Sequence, residues 1–302
     1  MAKQKTSMNG FPDPSLTVRR VPAASLDLKG KSMAIVGGTD GLGRAIARLA
    51  ASRGARVLVV GRTFRDEGTP GITFMKADLS SMREAVRVGK ELDASLDAVV
   101  LTTGIMAAKT REVTAEGIER DLAISYLSRL AIVRELAPRL APKPSGTPAP
   151  RVFVMGFPGA GQLGDASDLN AERSYDGMAV HMNTVAGNEV LVLDGKKRYP
   201  HVSFFGLNPG LIKTNIRANF LGEGSFAHKA AEFFIGLMMP TPEQYAERIV
   251  PLLIAPELEG RSGAMFGKKG QAILPTDGLD EAHVARFIGS SEALLQRGLG
   301  PA

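Results

Sequence analysis

Residues 32–62 have the sequence SMAIVGGTDGLGRAIARLAASRGARVLVVGR, and the pattern of this stretch indicates the fold. A short apolar run beginning at Ser32 leads into a glycine-rich turn, and residues 42–53 then show the spacing of apolar side chains typical of a helix. A second apolar run covers residues 55–60. Strand, turn, helix and strand in this order predict a β-α-β unit, in which the helix crosses over between two parallel strands.

The same alternation of apolar runs and helix-length segments continues along the chain. Further strands are predicted at residues 72–75, 98–101, 152–155, 202–207 and 263–266, and helices at 115–140, 176–197, 242–255 and 280–297. Such alternation favours a parallel sheet with helices on both faces. The expected fold class is therefore α/β, a Rossmann-type three-layer doubly wound parallel sheet. Residues 29–302 would form it as one domain, after an irregular arm of residues 1–28.

Composition narrows the function classes. Of the 302 residues, 44% are apolar and 23% are charged, which is ordinary for a globular protein. The net charge of +6 comes without a basic run interleaved with aromatics, so nucleic-acid binding is not favoured. Cysteine is absent and the four histidines lack metal-ligand spacing, so we expect no disulfide and no metal site. No segment resembles a signal peptide or a membrane span, which predicts a cytoplasmic protein.

The glycine-rich turn has the context of a phosphate-binding site. Gly37, Gly41 and Gly43 follow a predicted strand and open a predicted helix, with Thr39 and Leu42 between them. Glycines let the backbone turn tightly and approach a pyrophosphate, while the helix N-terminus supplies N–H donors. The turn therefore predicts a dinucleotide site, and an ordinary glycine turn is the alternative.

The end of the second strand indicates which dinucleotide binds. Gly61 and Arg62 stand there, without the carboxylate that would accept hydrogen bonds from the 2′-hydroxyl of NAD. Arg62 can instead pair with a 2′-phosphate, and a solvated loop charge is the alternative. NADP(H) is therefore the expected cofactor, with NAD less favoured.

From residue 30 to about residue 297 the chain resembles the short-chain dehydrogenase/reductase family, nearest to its retinol-dehydrogenase-like branch. The resemblance rests on four elements, namely Gly37-x3-Gly41-x-Gly43, Ala77-Asp78-Leu79, Thr103-Gly104 and Asn208-Pro209-Gly210-Leu-Ile-Lys-Thr214. It implies an adenine contact at Asp78 and Leu79. It also implies a nicotinamide-side clamp formed by Pro209, Gly210, Ile212 and Thr214. NADP-preferring members of the family often carry a basic residue where this chain has Asp40, so NAD stays an alternative.

The resemblance further implies a catalytic tetrad of Tyr, Lys, Ser and Asn, and every member of it is replaced here. The segment from His181 to Asn188 aligns without gaps with the family's Tyr-x-x-Ser-Lys-Leu-Ala-Asn. His181 thus replaces the tyrosine that acts as acid and base, and Val185 replaces the lysine. Phe157 stands at the serine position and Ser125 at the asparagine position.

These replacements are chemically self-consistent. A phenol needs a neighbouring cation to exchange protons at neutral pH, whereas an imidazole ordinarily titrates near neutrality without help. We therefore regard His181 as the candidate acid or base, with Ser125, Tyr175 and Asn183 as accessories. The alternative is that His181 only fills the cleft of a nucleotide-binding protein.

Three functions remain open on the sequence. The first is an NADP(H)-dependent oxidoreductase acting on a small or medium apolar carbonyl or alcohol. The second is a non-redox isomerase, lyase or cyclase, and the third is a non-catalytic NADP-responsive binding protein. The apolar segment at about residues 211–241 is expected to build the pocket for a small-molecule substrate. The resemblance implies a homodimer or homotetramer that pairs through helices 115–140 and 176–197.

Overall fold

The computed structural model describes residues 10–142, 144, 146–210, 212 and 240–300. Within these residues the strands are β1 Ser32–Val36, β2 Arg56–Gly61, β3 Ile72–Lys76, β4 Ala98–Leu101, β5 Arg151–Met155, β6 Ser203–Leu207, β7 Met265–Phe266 and β8 Ala272–Ile273. They form one sheet in the order β3-β2-β1-β4-β5-β6-β7-β8. Strands β1 to β7 are parallel, and β8 pairs antiparallel with β7.

The helices of the described residues cover both faces of this sheet. They are α1 Gly41–Ser52, α2 Met82–Glu91, α3 Arg120–Leu122, α4 Ser128–Leu136, α5 Gly177–Arg198, α6 Pro242–Leu253 and α7 Glu281–Leu299. A π-helical turn, Ala123–Leu127, joins α3 to α4. None of these helices has the length and apolar composition needed to cross a bilayer. The predicted three-layer, doubly wound arrangement is thereby confirmed.

The hydrophobic core consists of two layers, one on each side of the sheet. Along β1, Ala34 and Val36 face the layer formed with α2, α4, α5 and α7, while Met33 and Ile35 face the layer formed with α1 and α6. All four side chains are fully buried. Burial on both faces explains why the strands appear in the sequence as continuous apolar runs without a polar alternation.

Side-chain caps set where most of the helices begin. Each capping oxygen accepts a hydrogen bond from a backbone N–H in the first turn, which satisfies a donor that the helix itself leaves free. Thr241 and Gln244 complete a reciprocal capping box at α6. The other capping residues are Asp40, Ser81, Glu119, Asp176 and Asp280.

The structure corrects the sequence analysis at two elements. The helix predicted at 115–140 begins only at Arg120, because Val113 and Glu119 form a β-bridge that holds the preceding residues in an irregular turn. The sheet is also not wholly parallel, because β8 pairs antiparallel with β7. The strand β8 was not predicted from the sequence. Two residues are too short for a periodic signal to identify such a strand.

The described part of the N-terminal arm, residues 10–28, begins beside β8 at the edge of the sheet and then packs into the layer that contains α1 and α6. Pro12 forms a β-bridge with Ile273, and the Asp13 N–H donates to the Ala272 carbonyl at 3.1 Å. A 3₁₀ turn at Ala23–Ser25 follows. The arm therefore covers the backbone of the short antiparallel strand β8.

Candidate functional site

A cleft of about 1690 Å³ opens at the carboxyl ends of the parallel strands. It lies where the strand order reverses, between β1 and β4, which is the place where open α/β sheets bind ligands. Its lining includes the glycine turn and the start of α5. The predicted site residues that line it are Gly37, Thr39, Gly41, Leu42, Gly43, Arg62, Asp78, Leu79, Thr103, Gly104, His181, Pro209, Gly210 and Ile212.

The glycine turn brings two stretches of backbone unusually close together. Gly37 has a φ of 88°, in the left-handed region that favours glycine. A Cβ atom at Gly37 would lie 2.7 Å from both the Thr102 hydroxyl oxygen and the Thr103 amide nitrogen. A Cβ at Gly43 would lie 2.5 Å from the same hydroxyl. Because α1 begins at Gly41, its N-terminal N–H groups lie in this cradle and fit a pyrophosphate.

Arg62 and Asp78 lie at the end of the cleft where the resemblance places the adenosine half of a dinucleotide. Burial opposes ionisation of Asp78, but hydrogen bonds from the Ser80 N–H and hydroxyl, with the positive charge of Arg62, lower its pKa. No residue of the described ranges forms an ion pair with the Arg62 guanidinium within 4 Å. A basic group is therefore available beside the carboxyl end of β2.

Other charges at this end of the cleft are paired. Arg44, the first residue after the glycine turn, donates to both carboxylate oxygens of Asp66 at 2.8 and 2.9 Å. That bond lowers the pKa of Asp66, although burial acts in the opposite direction. Asp40, which caps α1, also forms an ion pair with Arg65 at 3.0 Å. The charge of Asp40 is thereby compensated.

The resemblance assigns another part of the cleft to the nicotinamide. Backbone atoms and one buried hydroxyl, that of Thr103, form this part. The Thr103 hydroxyl oxygen is buried and has no hydrogen-bond partner among the described residues. Gly210 is held by a bond from its N–H to the Asn208 carboxamide oxygen at 2.9 Å. A buried hydroxyl without a partner fits a site completed by a polar ligand. Thr214 lies outside the described residues, as does most of the predicted pocket segment 211–241.

His181 occupies the cleft wall on the first turns of α5, and its ring is held from behind by a buried carboxylate. Its Nδ1 lies 2.7 Å from Oδ2 of Asp121. The His181 side chain is 15% exposed and that of Asp121 is fully buried. The Ser125 hydroxyl donates to the other carboxylate oxygen at 2.5 Å and accepts from the Ile105 N–H at 3.0 Å. No described residue bonds to Nε2 of His181, which leaves that atom for a ligand.

A buried guanidinium, that of Arg129, interacts electrostatically with this carboxylate. Arg129 donates to the carbonyls of Thr103 and Met155 and to the Asn188 side-chain oxygen at 2.8 Å. Burial lowers the pKa of Arg129 to about 9, and the negative charge of Asp121 opposes that shift. Arg129 therefore stays cationic at neutral pH and balances the buried charge of Asp121.

The structure does not place all candidate accessories at the cleft. The Tyr175 hydroxyl donates to the Ala108 carbonyl at 2.6 Å, and its ring packs in a small cluster with Ala107, Ala171 and Val180. The Tyr175 hydroxyl is thus bonded away from His181, and Tyr175 is not among the residues that line the cleft. Ser125 is buried and does not line the cleft, and its hydroxyl is bonded to Asp121 and to the N–H of the cleft residue Ile105.

Of the remaining candidate positions, two line the cleft and one is bonded to a neighbouring loop. Phe157 and Val185, which occupy the serine and lysine positions of the resemblance, line the cleft and give it apolar surface. Asn183 accepts a hydrogen bond from the Asp165 N–H at 2.7 Å, which ties α5 to the preceding loop. Asn183 is therefore a structural residue in this geometry.

Sequence reasoning missed Asp121 and Arg129. Asp121 lies four residues before Ser125, and Arg129 four residues after it, so all three share one helical face. A signal was present, since charged residues at this spacing stand among apolar neighbours that must be buried. Without the structure, however, nothing connected that face to His181, which is 60 residues away.

The substrate side of the cleft is apolar. Its polar side chains include those of His181 and Gln162, and its apolar lining includes Ile105, Met106, Ile124, Phe157, Ala160, Met178, Met182 and Val185. Met178 is 51% exposed, which is high for a large apolar side chain. This composition suits a ligand with an extended apolar part.

The sheet order, the glycine cradle and the cleft at the switch point define a nucleotide-binding α/β protein of the dehydrogenase type. The chain belongs to the short-chain dehydrogenase/reductase family of oxidoreductases. Residues 31–147 match the family described as short chain dehydrogenase. The chain is 46% identical over 293 residues to the uncharacterized oxidoreductase YKL107W of Saccharomyces cerevisiae, covering 95% of each chain.

More distant similarities agree with this assignment. Retinol dehydrogenase 14 of Mus musculus is 26% identical over 301 residues, covering 89% of this chain and 86% of the relative. Among solved structures, an uncharacterized protein from Mycobacterium paratuberculosis shares the fold at a TM-score of 0.67 and 19% identity, covering 92% and 98% of the two chains. The 3-oxoacyl (acyl-carrier-protein) reductase of Agrobacterium tumefaciens, with NADP bound, has a TM-score of 0.59 at 17% identity, covering 80% and 94%.

Proposed function

We propose that this protein is an NADP(H)-dependent oxidoreductase that interconverts a small or medium apolar carbonyl compound and its alcohol, with His181 as the proton donor and acceptor. The observation that carries the proposal is the bond between His181 and the buried Asp121, which leaves Nε2 facing the same cleft as the glycine cradle. Imidazole is the side-chain group whose ordinary pKa lies nearest to neutral pH, so this proton exchange does not require the lysine that Val185 replaces.

The reaction divides between the cofactor and the protein. When bound, NADPH supplies a hydride to the carbonyl carbon. His181 as imidazolium gives the proton on Nε2 to the carbonyl oxygen, so that the alcohol forms and the ring becomes neutral. In the reverse direction the neutral Nε2 takes the proton from the alcohol hydroxyl. Water restores the proton on His181 between turnovers.

The preference for NADP(H) over NAD(H) rests on Arg62. A 2′-phosphate needs a cationic partner, and Arg62 is available at the carboxyl end of β2, where a carboxylate for the NAD ribose is absent. Asp40 does not exclude NADP(H), because its carboxylate forms an ion pair with Arg65 at 3.0 Å. The NADP-bound reductase of Agrobacterium tumefaciens shows that a protein of this fold can hold NADP.

The cofactor part is tested by titrating the protein with NADPH and NADH, in wild type and in Arg62→Ala. Loss of one charge-assisted contact is expected to weaken NADPH binding by about 10- to 100-fold and to leave NADH binding unchanged. Arg56→Ala is the matched control, because Arg56 is an exposed arginine at the opposite end of the same strand. Equal losses for both cofactors would contradict the role of Arg62.

The substrate part is tested by following NADPH oxidation with benzaldehyde, decanal, menthone and all-trans-retinal. The last probe is included because a relative is named as a retinol dehydrogenase. We expect turnover with at least one apolar member of this panel. Tight NADPH binding without any turnover would instead favour a non-catalytic NADP-responsive binding protein.

Proton chemistry without hydride transfer is the second candidate function. It is favoured by Val185 and Phe157, which remove the lysine and serine that hydride-transferring relatives use according to the resemblance. An isomerase, lyase or cyclase would need His181 but not NADPH. Exchange of a carbonyl compound's α-proton with deuterated water in the absence of cofactor distinguishes it from the first candidate.

A further inference from the structure

We propose that Asp121 is the positioning residue of His181, fixing the ring so that Nε2 faces the cleft without a proton when neutral and stabilising the imidazolium when charged. This role rests on the proposed function of His181 as acid and base. Ser125 holds Asp121 in turn. The three residues thus form one hydrogen-bonded chain from the interior to the cleft.

Donor and acceptor counting fixes the direction of each bond. The Ser125 oxygen accepts from the Ile105 N–H at 3.0 Å, and its own proton goes to Asp121 at 2.5 Å, because the other acceptor in reach, the Ile105 carbonyl, is 3.5 Å away. An ionised carboxylate can only accept, so Nδ1 of His181 must be the donor in the 2.7 Å bond. A neutral ring that carries its proton on Nδ1 has a free lone pair on Nε2. That is the form that can take a proton from an alcohol.

A purely structural role does not account for these contacts. The start of α3 is already capped by Glu119, whose carboxylate accepts from the Leu122 N–H at 2.7 Å. Both oxygens of Asp121 are directed to side chains, those of Ser125 and His181. A fully buried carboxylate is costly, and a helix that already has its cap gains little from a second one.

Neighbouring side chains hold the surroundings of Asp121 in place. Arg129 supplies a buried positive charge that acts on Asp121 and is anchored to Asn188 at 2.8 Å. Asn188 also donates to the Ser125 backbone carbonyl at 3.0 Å, which fixes the helical turn carrying Ser125. A permanent negative charge behind His181 favours the imidazolium that alcohol oxidation produces.

The Asp121→Asn variant tests this role by a readout that does not depend on turnover. Ser125 needs an acceptor, so the asparagine oxygen would turn to Ser125 and its NH₂ group to Nδ1 of His181. The neutral ring would then carry its proton on Nε2, the reverse of wild type. Nitrogen-15 NMR of histidine-labelled protein at alkaline pH distinguishes the two tautomers. We expect Nδ1–H in wild type and Nε2–H in Asp121→Asn.

Asp194→Asn is the matched control. Asp194 is a partly buried carboxylate on α5 that pairs with Arg134 at 2.8 Å, outside the cleft, so the His181 signals should stay as in wild type. With a carbonyl from the panel, Asp121→Asn should lower kcat by about 10²- to 10⁴-fold and change KM little. Ser125→Ala, which removes the support of Asp121 but keeps its charge, should give a smaller loss.

The outcomes separate this inference from the proposed function. An unchanged tautomer in Asp121→Asn, or a wild-type ring protonated on Nε2, would overturn the role of Asp121, and the wild-type spectrum decides this even if the variant does not fold. A reversed tautomer with no carbonyl reduced by wild type would leave the positioning role standing and contradict the oxidoreductase. Turnover that is lost in His181→Ala but kept in Asp121→Asn would support the oxidoreductase and contradict the positioning role of Asp121.

Discussion

Gly43 shows how strictly single residues are constrained at the glycine turn. A side chain there would meet the Thr102 hydroxyl at 2.5 Å and the backbone of Gly37. Gly43→Ala is therefore expected to abolish NADPH binding and to lower the free energy of unfolding by about 1–3 kcal/mol. Fluorescence titration and chemical denaturation measure the two effects.

Gly289→Ala serves as the control for that substitution. Gly289 lies inside α7, and a Cβ there would meet no atom within 4 Å. Alanine is a better helix former than glycine, so this variant should gain up to about 1 kcal/mol of stability and bind NADPH normally. A Gly43→Ala protein that binds NADPH as wild type does would contradict the assignment of the turn to the pyrophosphate.

At the scale of elements, Glu189 connects α5 to two loops beside the cleft. It is 2% exposed and accepts from the Thr276 N–H at 2.5 Å, the Thr276 hydroxyl at 2.7 Å and the Gly159 N–H at 3.1 Å. Burial raises the pKa of Glu189, although these hydrogen bonds oppose the shift. Glu189→Gln loses an acceptor oxygen, so we expect it to cost about 1–3 kcal/mol.

The pH dependence of that cost follows from the raised pKa of Glu189. An acid with a raised pKa binds its proton more tightly in the folded state, so its contribution is present at low pH and decreases as pH rises through the raised value. The difference in unfolding free energy between wild type and Glu189→Gln should therefore narrow as the pH rises above the ordinary pKa of a glutamate, about 4.3. Urea denaturation at several pH values measures it, and a widening difference would contradict the shift.

Elements were predictable from the sequence where the local pattern decides their structure. The helix predicted at 42–53 is Gly41–Ser52 in the structure, since a glycine turn and a cap mark its start. The predicted start of the helix at residue 115 was wrong by several residues, because the bridge between Val113 and Glu119 depends on tertiary structure. Asp121 escaped notice for the same reason, since the fold alone brings it to His181.

At the scale of the whole molecule, the C-terminal helix α7 covers helices through which the resemblance implies pairing. Phe287 on α7 packs edge-on against Tyr126 with ring centroids 5.8 Å apart, and the Tyr126 hydroxyl donates to Ser291 at 2.9 Å. Arg134 on α4 bonds to Glu292 of α7 at 2.7 Å. The same chain thus occupies surface that a second copy would need.

We therefore expect pairing through α4 and α5 to be absent while α7 is docked. Light scattering coupled to size-exclusion chromatography should give the mass of one chain, 32.0 kDa. Ser291→Ala, which removes the hydroxyl that accepts from Tyr126 and donates to the Phe287 carbonyl, should not change that mass. A stable dimer or tetramer whose interface maps to α4 and α5 would contradict the covering role of α7.

The claim that His181 carries the proton in an NADPH-dependent reduction is tested most directly by a single-turnover experiment. Protein saturated with NADPH is mixed with a carbonyl that wild type reduces, and the loss of reduced-cofactor absorbance is followed in wild type and His181→Ala. We expect His181→Ala to bind NADPH as wild type does and to oxidise it about 10²- to 10⁴-fold more slowly. Equal oxidation rates in the two proteins would show that His181 does not carry the proton.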